Sequence, residues 1–155
     1  MTLSGSVEHA LGRLGTSLLV LTIVSDQGQQ TWQADIRIRT LEVTRNTTHV
    51  TARVVVYTEN DDDARDARLL ILLPIGIGLD RLSPGCSATS GPSMVPSLRA
   101  TVACELGLIP NRGLREVVLT ATIPADRQPR RFGVFTYSST PDPVPSNNYA
   151  ERVLP

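Results

Sequence analysis

The sequence predicts an all-β protein, an antiparallel β-sandwich preceded by an N-terminal arm. Three observations carry this. From about residue 33 onward, polar and apolar side chains alternate with period two. The alternating runs are rich in β-branched and aromatic residues. Turn-forming clusters separate the runs at short intervals, as in sandwiches of many short strands.

The elements follow in order. Asp35-Ile36-Arg37-Ile38-Arg39 alternates, and so does His49-Val50-Thr51-Ala52-Arg53-Val54 before it runs into Val55, Val56 and Tyr57. Residues 69–73 (LLILL) are a continuous apolar run and predict a strand buried on both faces. Segments 82–86 and 101–106 predict neighbouring strand ends. Residues 115–123 (REVVLTATI) and 132–137 (FGVFTY) predict two more strands, joined by a hairpin loop that carries Arg127, Arg130 and Arg131. Turns are expected at 45–48, 59–63, 83–85, 110–113 and 140–148.

The first 31 residues read differently. Leu3, Val7, Ala10, Leu11, Leu14 and Leu18 fall three or four apart, which is helical spacing. Ser6 suits an N-cap and Glu8 the first turn. Gly12 and Gly15 each weaken a long helix by about 1 kcal/mol. The expectation is a short helix over 6–14, an apolar strand over 17–24 and a polar turn at 26–30. The domain division is therefore an arm, 1–31, and a sandwich, 32–155. Leu18, Leu19, Val20, Leu21 and Ile23 must bury their side chains, either in the chain's own sheet or on a neighbouring subunit or larger surface. With Leu3, Val7, Leu11 and Leu14 they form the expected interface of the arm. Residues 18–24 (LLVLTIV) also have the composition of a signal-peptide core. The long preceding region, Glu8 within it and the lack of an A-x-A site favour a retained arm.

Composition narrows the chemistry. With 41% hydrophobic and 19% charged residues over 155 positions, the chain is globular. All 15 basic residues are arginine, which excludes a Walker A lysine, a Schiff-base lysine and a Lys–Asn isopeptide crosslink. A net charge of zero argues against attraction to nucleic acid or an anionic membrane. Aromatics are few, so a stacking platform for bases or sugars is not expected. No stretch approaches the roughly 20 apolar residues that span a bilayer. Cys86 and Cys104 form no C-x-x-C, which leaves a disulfide or two buried thiols. The neighbouring strand ends favour the disulfide and with it an oxidising environment.

Several motifs recur in a familiar order. Residues 70–74 (LILLP) precede Ser83-Pro84-Gly85-Cys86, then Cys104-Glu105-Leu106-Gly107, and the chain closes through 138–148 (SSTPDPVPSNN). This order resembles the prokaryotic β-sandwich repeat called domain of unknown function eleven, an immunoglobulin-like family, over about 33–155. The T-P-D-P…N-N segment is the most specific part. The resemblance implies an immunoglobulin-like antiparallel β-sandwich and the Cys86–Cys104 bridge, in modules common to secreted and cell-surface proteins. It implies no activity. The turn before the Leu-Pro strand (ENDDDARD, 59–66) departs from the family in lacking glycine, and the segment between the cysteines is long.

Candidate sites are few. His9 and His49 are the only imidazoles, and no G-x-S-x-G is present, so no catalytic set is expected. Asp61, Asp62, Asp63, Asp66 and Glu59 offer oxygens, but without EF-hand spacing they read as a solvated acidic turn. Asp142, Asn147 and Asn148 read as turn-shaping residues rather than calcium ligands. Arg127, Arg130 and Arg131 form the densest basic cluster and a candidate protein contact. Asn46-Thr47-Thr48 matches a glycosylation acceptor. No cofactor or metal is expected. The functional expectation is a non-enzymatic structural protein on the outside of a large particle. Specifically, it is a homo-oligomeric decoration (cement) protein on the capsid of a virion head, held by protein–protein contacts. The alternative is a secreted or cell-surface adhesive module.

Overall fold

A computed structural model describes residues 32–59, 62–74, 76–89, 98–124 and 130–154, with the backbone alone at 98–101. The chain divides into two units, Met1–Gln30 and Thr31–Pro155, of which the second is described. The expected helix over 6–14, the strand over 17–24, the arm interface from Leu3 to Ile23, His9, Asp61 and Arg127 all lie outside the described residues.

Among the described residues there are nine strands: β1 (Ile36–Asn46), β2 (His49–Thr58), β3 (Ala64–Pro74), β4 (Gly78–Leu82), β5 (Cys86–Thr89), β6 (Leu98–Ile109), β7 (Leu114–Thr122), β8 (Arg130–Tyr137) and β9 (Tyr149–Leu154). They form a four-stranded sheet, β1-β2-β7-β4, and a five-stranded sheet, β5-β6-β3-β8-β9. Every neighbouring pair is antiparallel. The chain changes sheet after β2, β3, β4, β6 and β7, so the architecture is an immunoglobulin-like β-sandwich.

The core lies between the sheets. Ile36, Val54, Val56, Leu119 and Ala121 from one sheet meet Leu69, Ile71, Leu73, Val102, Phe132 and Val134 from the other. Buried hydroxyls are satisfied locally: Thr58 Oγ1 donates to the Pro110 carbonyl at 2.6 Å, and Thr136 Oγ1 to the Arg68 carbonyl at 2.9 Å. On one side of the sandwich, Arg152 Nε on β9 donates to the Leu41 carbonyl on β1 at 3.3 Å.

Three expectations are corrected here. Residues 69–73 are not buried on both faces. Leu69, Ile71 and Leu73 are fully buried, while Leu70 and Leu72 are partly exposed on the outer face. The segments 115–123 and 132–137 do not form a hairpin, because β7 pairs with β2 and β4 whereas β8 pairs with β3 and β9. The connection between them crosses from sheet to sheet. Finally, the turn before the Leu-Pro strand is shorter than expected, since β3 begins at Ala64. A shift in pairing between Ala64 and Ala67 marks a bulge, and Asp66 there takes φ 48°, a left-handed conformation that aspartate tolerates.

Candidate functional site

The two outer faces of the sandwich differ in chemistry. On the four-stranded sheet, β1, β2 and β7 present charged and hydroxyl side chains. Arg53 lies 2.7 Å from Glu116 and 3.4 Å from Glu42. The hydrogen bond to Arg53 holds the Glu116 carboxyl below its ordinary value, and the same bond raises Arg53. A bulge between Ile38 and Thr40 brings both Arg37 and Arg39 over the Tyr57 ring, at 5.4 and 5.2 Å from its centroid. This face is polar and largely paired with itself.

The outer face of the five-stranded sheet is apolar at its centre. The strand register aligns Ala103, Leu70, Phe135 and Tyr149 across β6, β3, β8 and β9. Phe135 stacks on Tyr137 two residues along, with centroids 5.9 Å apart. A side chain built at Gly133 would meet the Tyr149 ring, at 3.2 Å from the hydroxyl, and Leu72 Cβ at 3.6 Å. The absence of a side chain at Gly133 therefore leaves room for the hydroxyl end of the Tyr149 ring. Phe135, Tyr149 and Val153 are exposed. Charged residues rim this patch. Arg68 pairs with Glu105 at 3.2 Å on one flank, and Arg131 with Glu151 at 2.8 Å on the other. Burial, with the hydrogen bond it donates to Glu151, raises the Tyr149 phenol above its ordinary value. The ring thus remains neutral and amphipathic. An apolar, aromatic centre with a charged rim is the anatomy of a protein-binding surface.

A second feature lies at one end of the sandwich. Trp32, Asp62, Asp63, Arg65, Ser139, Thr140 and Pro141 line a cleft of about 360 Å³. Its walls are tied together by main-chain bonds, from Ala34 N–H to the Pro141 carbonyl at 3.0 Å and from Ser139 N–H to the Arg65 carbonyl at 2.9 Å. Asp62 Oδ2 accepts from Gln33 N–H at 2.9 Å, and Asp63 Oδ1 from Asn111 N–H at 2.8 Å. Thr140 Oγ1 donates to the Asp63 carbonyl at 3.0 Å and accepts from Arg65 N–H at 3.1 Å.

The residues singled out by sequence fall as follows. Cys86 and Cys104 stand directly opposite each other on β5 and β6 and form a disulfide, with Cα atoms 3.9 Å apart. Arg130 and Arg131 do not form a loop cluster; they are consecutive on β8 and point to opposite faces. Asp62 and Asp63 keep solvent exposure, as expected of a solvated acidic turn, and each also accepts from a backbone N–H at the wall of the cleft. His49 is exposed, with Nδ1 3.0 Å from Thr48 Oγ1. Asp142 shapes its turn as expected, accepting from Val144 N–H at 2.7 Å. Asp142 Oδ2, Asn147 Oδ1 and Asn148 Oδ1 are buried and accept no bond from the protein. Among the described residues, no three His, Cys, Asp or Glu side chains gather as a metal-holding group.

Sequence reasoning missed both the patch and the cleft. Phe135 and Tyr137, two apart on one strand, carried a signal for a shared face, but only the register brings Leu70 and Tyr149 beside them. Trp32 and Asp62 are 30 positions apart, and no local pattern joins them.

No family model matches the chain, and no curated protein matches it in sequence. Solved structures do resemble it. A collagen-binding domain from a Staphylococcus aureus adhesin is 11% identical, covering 77% of this chain and 95% of that one, with a TM-score of 0.45. An uncharacterized Nocardia farcinica protein with an immunoglobulin-like fold is 13% identical, covering 76% and 80%, with a TM-score of 0.44. A cohesin module from a Clostridium perfringens family 33 glycoside hydrolase is 12% identical, covering 80% and 96%, with a TM-score of 0.43. Likeness at this level concerns the fold alone.

Proposed function

We propose that the protein is a non-enzymatic adhesive or structural module that works outside the cytoplasm and binds a partner protein through the outer face of its five-stranded sheet. The observation that carries this reading is the row Ala103–Leu70–Phe135–Tyr149, an apolar stripe with two exposed aromatic rings and a rim of ion pairs. Aromatic side chains bring large contact area at low entropic cost, and Tyr149 keeps a polar tip for a partner. The disulfide between β5 and β6 supports an oxidising compartment. Membership in the repeat family of domain of unknown function eleven belongs to the same proposal, on the strength of the motif order in the sequence. The decoration-protein reading draws on the apolar arm, which lies outside the described residues, while the Cys86–Cys104 disulfide favours the adhesive reading.

The test is site-specific photo-crosslinking in the producing cells. A photoreactive phenylalanine at Tyr149 is expected to capture one defined protein that a membrane-impermeant label also reaches. The same probe at Arg53, on the opposite face, is expected to capture nothing above background. Equal capture from both faces, or capture from Arg53 alone, overturns the assignment.

A further inference from the structure

We infer that the end cleft is a binding site for a neutral saccharide, a pyranose unit stacked on Trp32. This goes beyond the protein-binding role of the sheet face and does not depend on it.

Trp32 is 61% exposed, an unusual position for so large a ring. Arg65 sits over the indole with Cζ 6.0 Å from the ring centroid, and the ring stays largely exposed. Asp62 and Asp63 line the same cleft. Each has one carboxylate oxygen fixed by a backbone N–H, and that fixes where the other oxygen points. A volume of about 360 Å³ falls within the range of small-molecule sites.

Charge then selects the ligand class. An anion would face Asp62 and Asp63. A cation would be repelled by the Arg65 guanidinium, which lies beside the indole in the same cleft. A neutral polyol meets neither obstacle. Sugar hydroxyls both donate and accept, so they match a wall that holds carboxylate acceptors beside guanidinium donors. The apolar face of a pyranose ring covers the open indole. The proposal departs from the expectation that so few aromatics build no stacking platform, since it needs only the single ring of Trp32.

Trp32 is the chain's sole tryptophan, so its fluorescence reports on the cleft directly. The full chain is titrated with neutral gluco-, xylo-, galacto-, manno- and N-acetylglucosamine oligosaccharides, with saturation-transfer NMR as the second readout. At least one series is expected to shift the Trp32 emission and to show saturation transfer. Trp32→Ala should abolish the transfer signal, Trp32→Phe should restore part of it, and Asp62→Asn should weaken binding by roughly tenfold or more. Circular dichroism confirms that each variant is folded. No response across the panel overturns the proposal, as does saturation transfer that survives Trp32→Ala. A response only to oligolysine or to a heparin tetrasaccharide also overturns it.

Discussion

Asp35 is 7% exposed, and the Asn147 amide donates to its carboxylate at 2.8 Å. The contact joins the entry of β1 to the 3-10 turn Pro145–Asn147, across 112 positions of sequence. Asn147→Ala should therefore cost about 1–3 kcal/mol, because a buried carboxylate loses a donor. Asn147→Asp should cost more, because it places a second negative charge against the first. Equilibrium denaturation of both variants checks the order. Gly85 is a second residue with a defined cost. Its φ is +82°, and an added Cβ would lie 3.0 Å from the Glu105 carbonyl oxygen. Gly85→Ala is expected to destabilise by roughly 1–3 kcal/mol, read in the same assay. At this scale the sequence was partly legible. Asp142 was readable as a turn former because its partner lies two residues away. The Asn147–Asp35 bond was not, because nothing local to either residue encodes it.

At the scale of elements, the pairs that read best were those whose pattern is local. Alternation placed β1 and β2, and β-branched richness placed β7; of the strand end expected at 82–86 only Cys86 pairs with β6, as the first residue of β5, because Leu82 closes β4 in the other sheet. Alternation failed in β3, where residues on both faces are apolar and the period disappears. Leu70 and Leu72 are apolar because they build the outer patch, not because they are buried. Hairpin pairing of adjacent strands failed between β7 and β8, because sheet membership is settled by which faces meet in the core. The short edge strand β5 is pinned by Cys86–Cys104, whose positions are 18 apart. Replacing both cysteines with serine should lower stability by about 3 kcal/mol in the chain-entropy model, measured by thermal unfolding. On the opposite sheet, Arg53 depresses the Glu116 carboxyl. A depressed folded-state value means the unfolded chain binds the proton first as pH falls. The stabilisation from this pair is present above the ordinary value of 4.5 and is lost as pH drops below it. Glu116→Gln should remove that component from the acid unfolding curve without altering the curve at neutral pH beyond the loss of one surface ion pair.

For the whole molecule, the unit Thr31–Pro155 contains both sheets and the entire described core. A chain truncated to 32–155 is expected to unfold cooperatively, with calorimetric and van't Hoff enthalpies in agreement. The lysine-free, neutral composition fits a sandwich whose charges are paired on one face and set at the rim of the other. Arginine supplies every cation in those pairs, and its planar fork suits fixed contacts with carboxylates. Under the proposed function the two faces differ in role, and the aromatic face does the binding. The direct measurement is the affinity of Phe135→Glu and Arg53→Glu variants for the protein captured from Tyr149, by surface plasmon resonance. Phe135→Glu should weaken binding by roughly tenfold or more while leaving the unfolding midpoint near that of the parent. Arg53→Glu should leave affinity unchanged. Binding that survives Phe135→Glu, or that is lost with Arg53→Glu, would contradict the account.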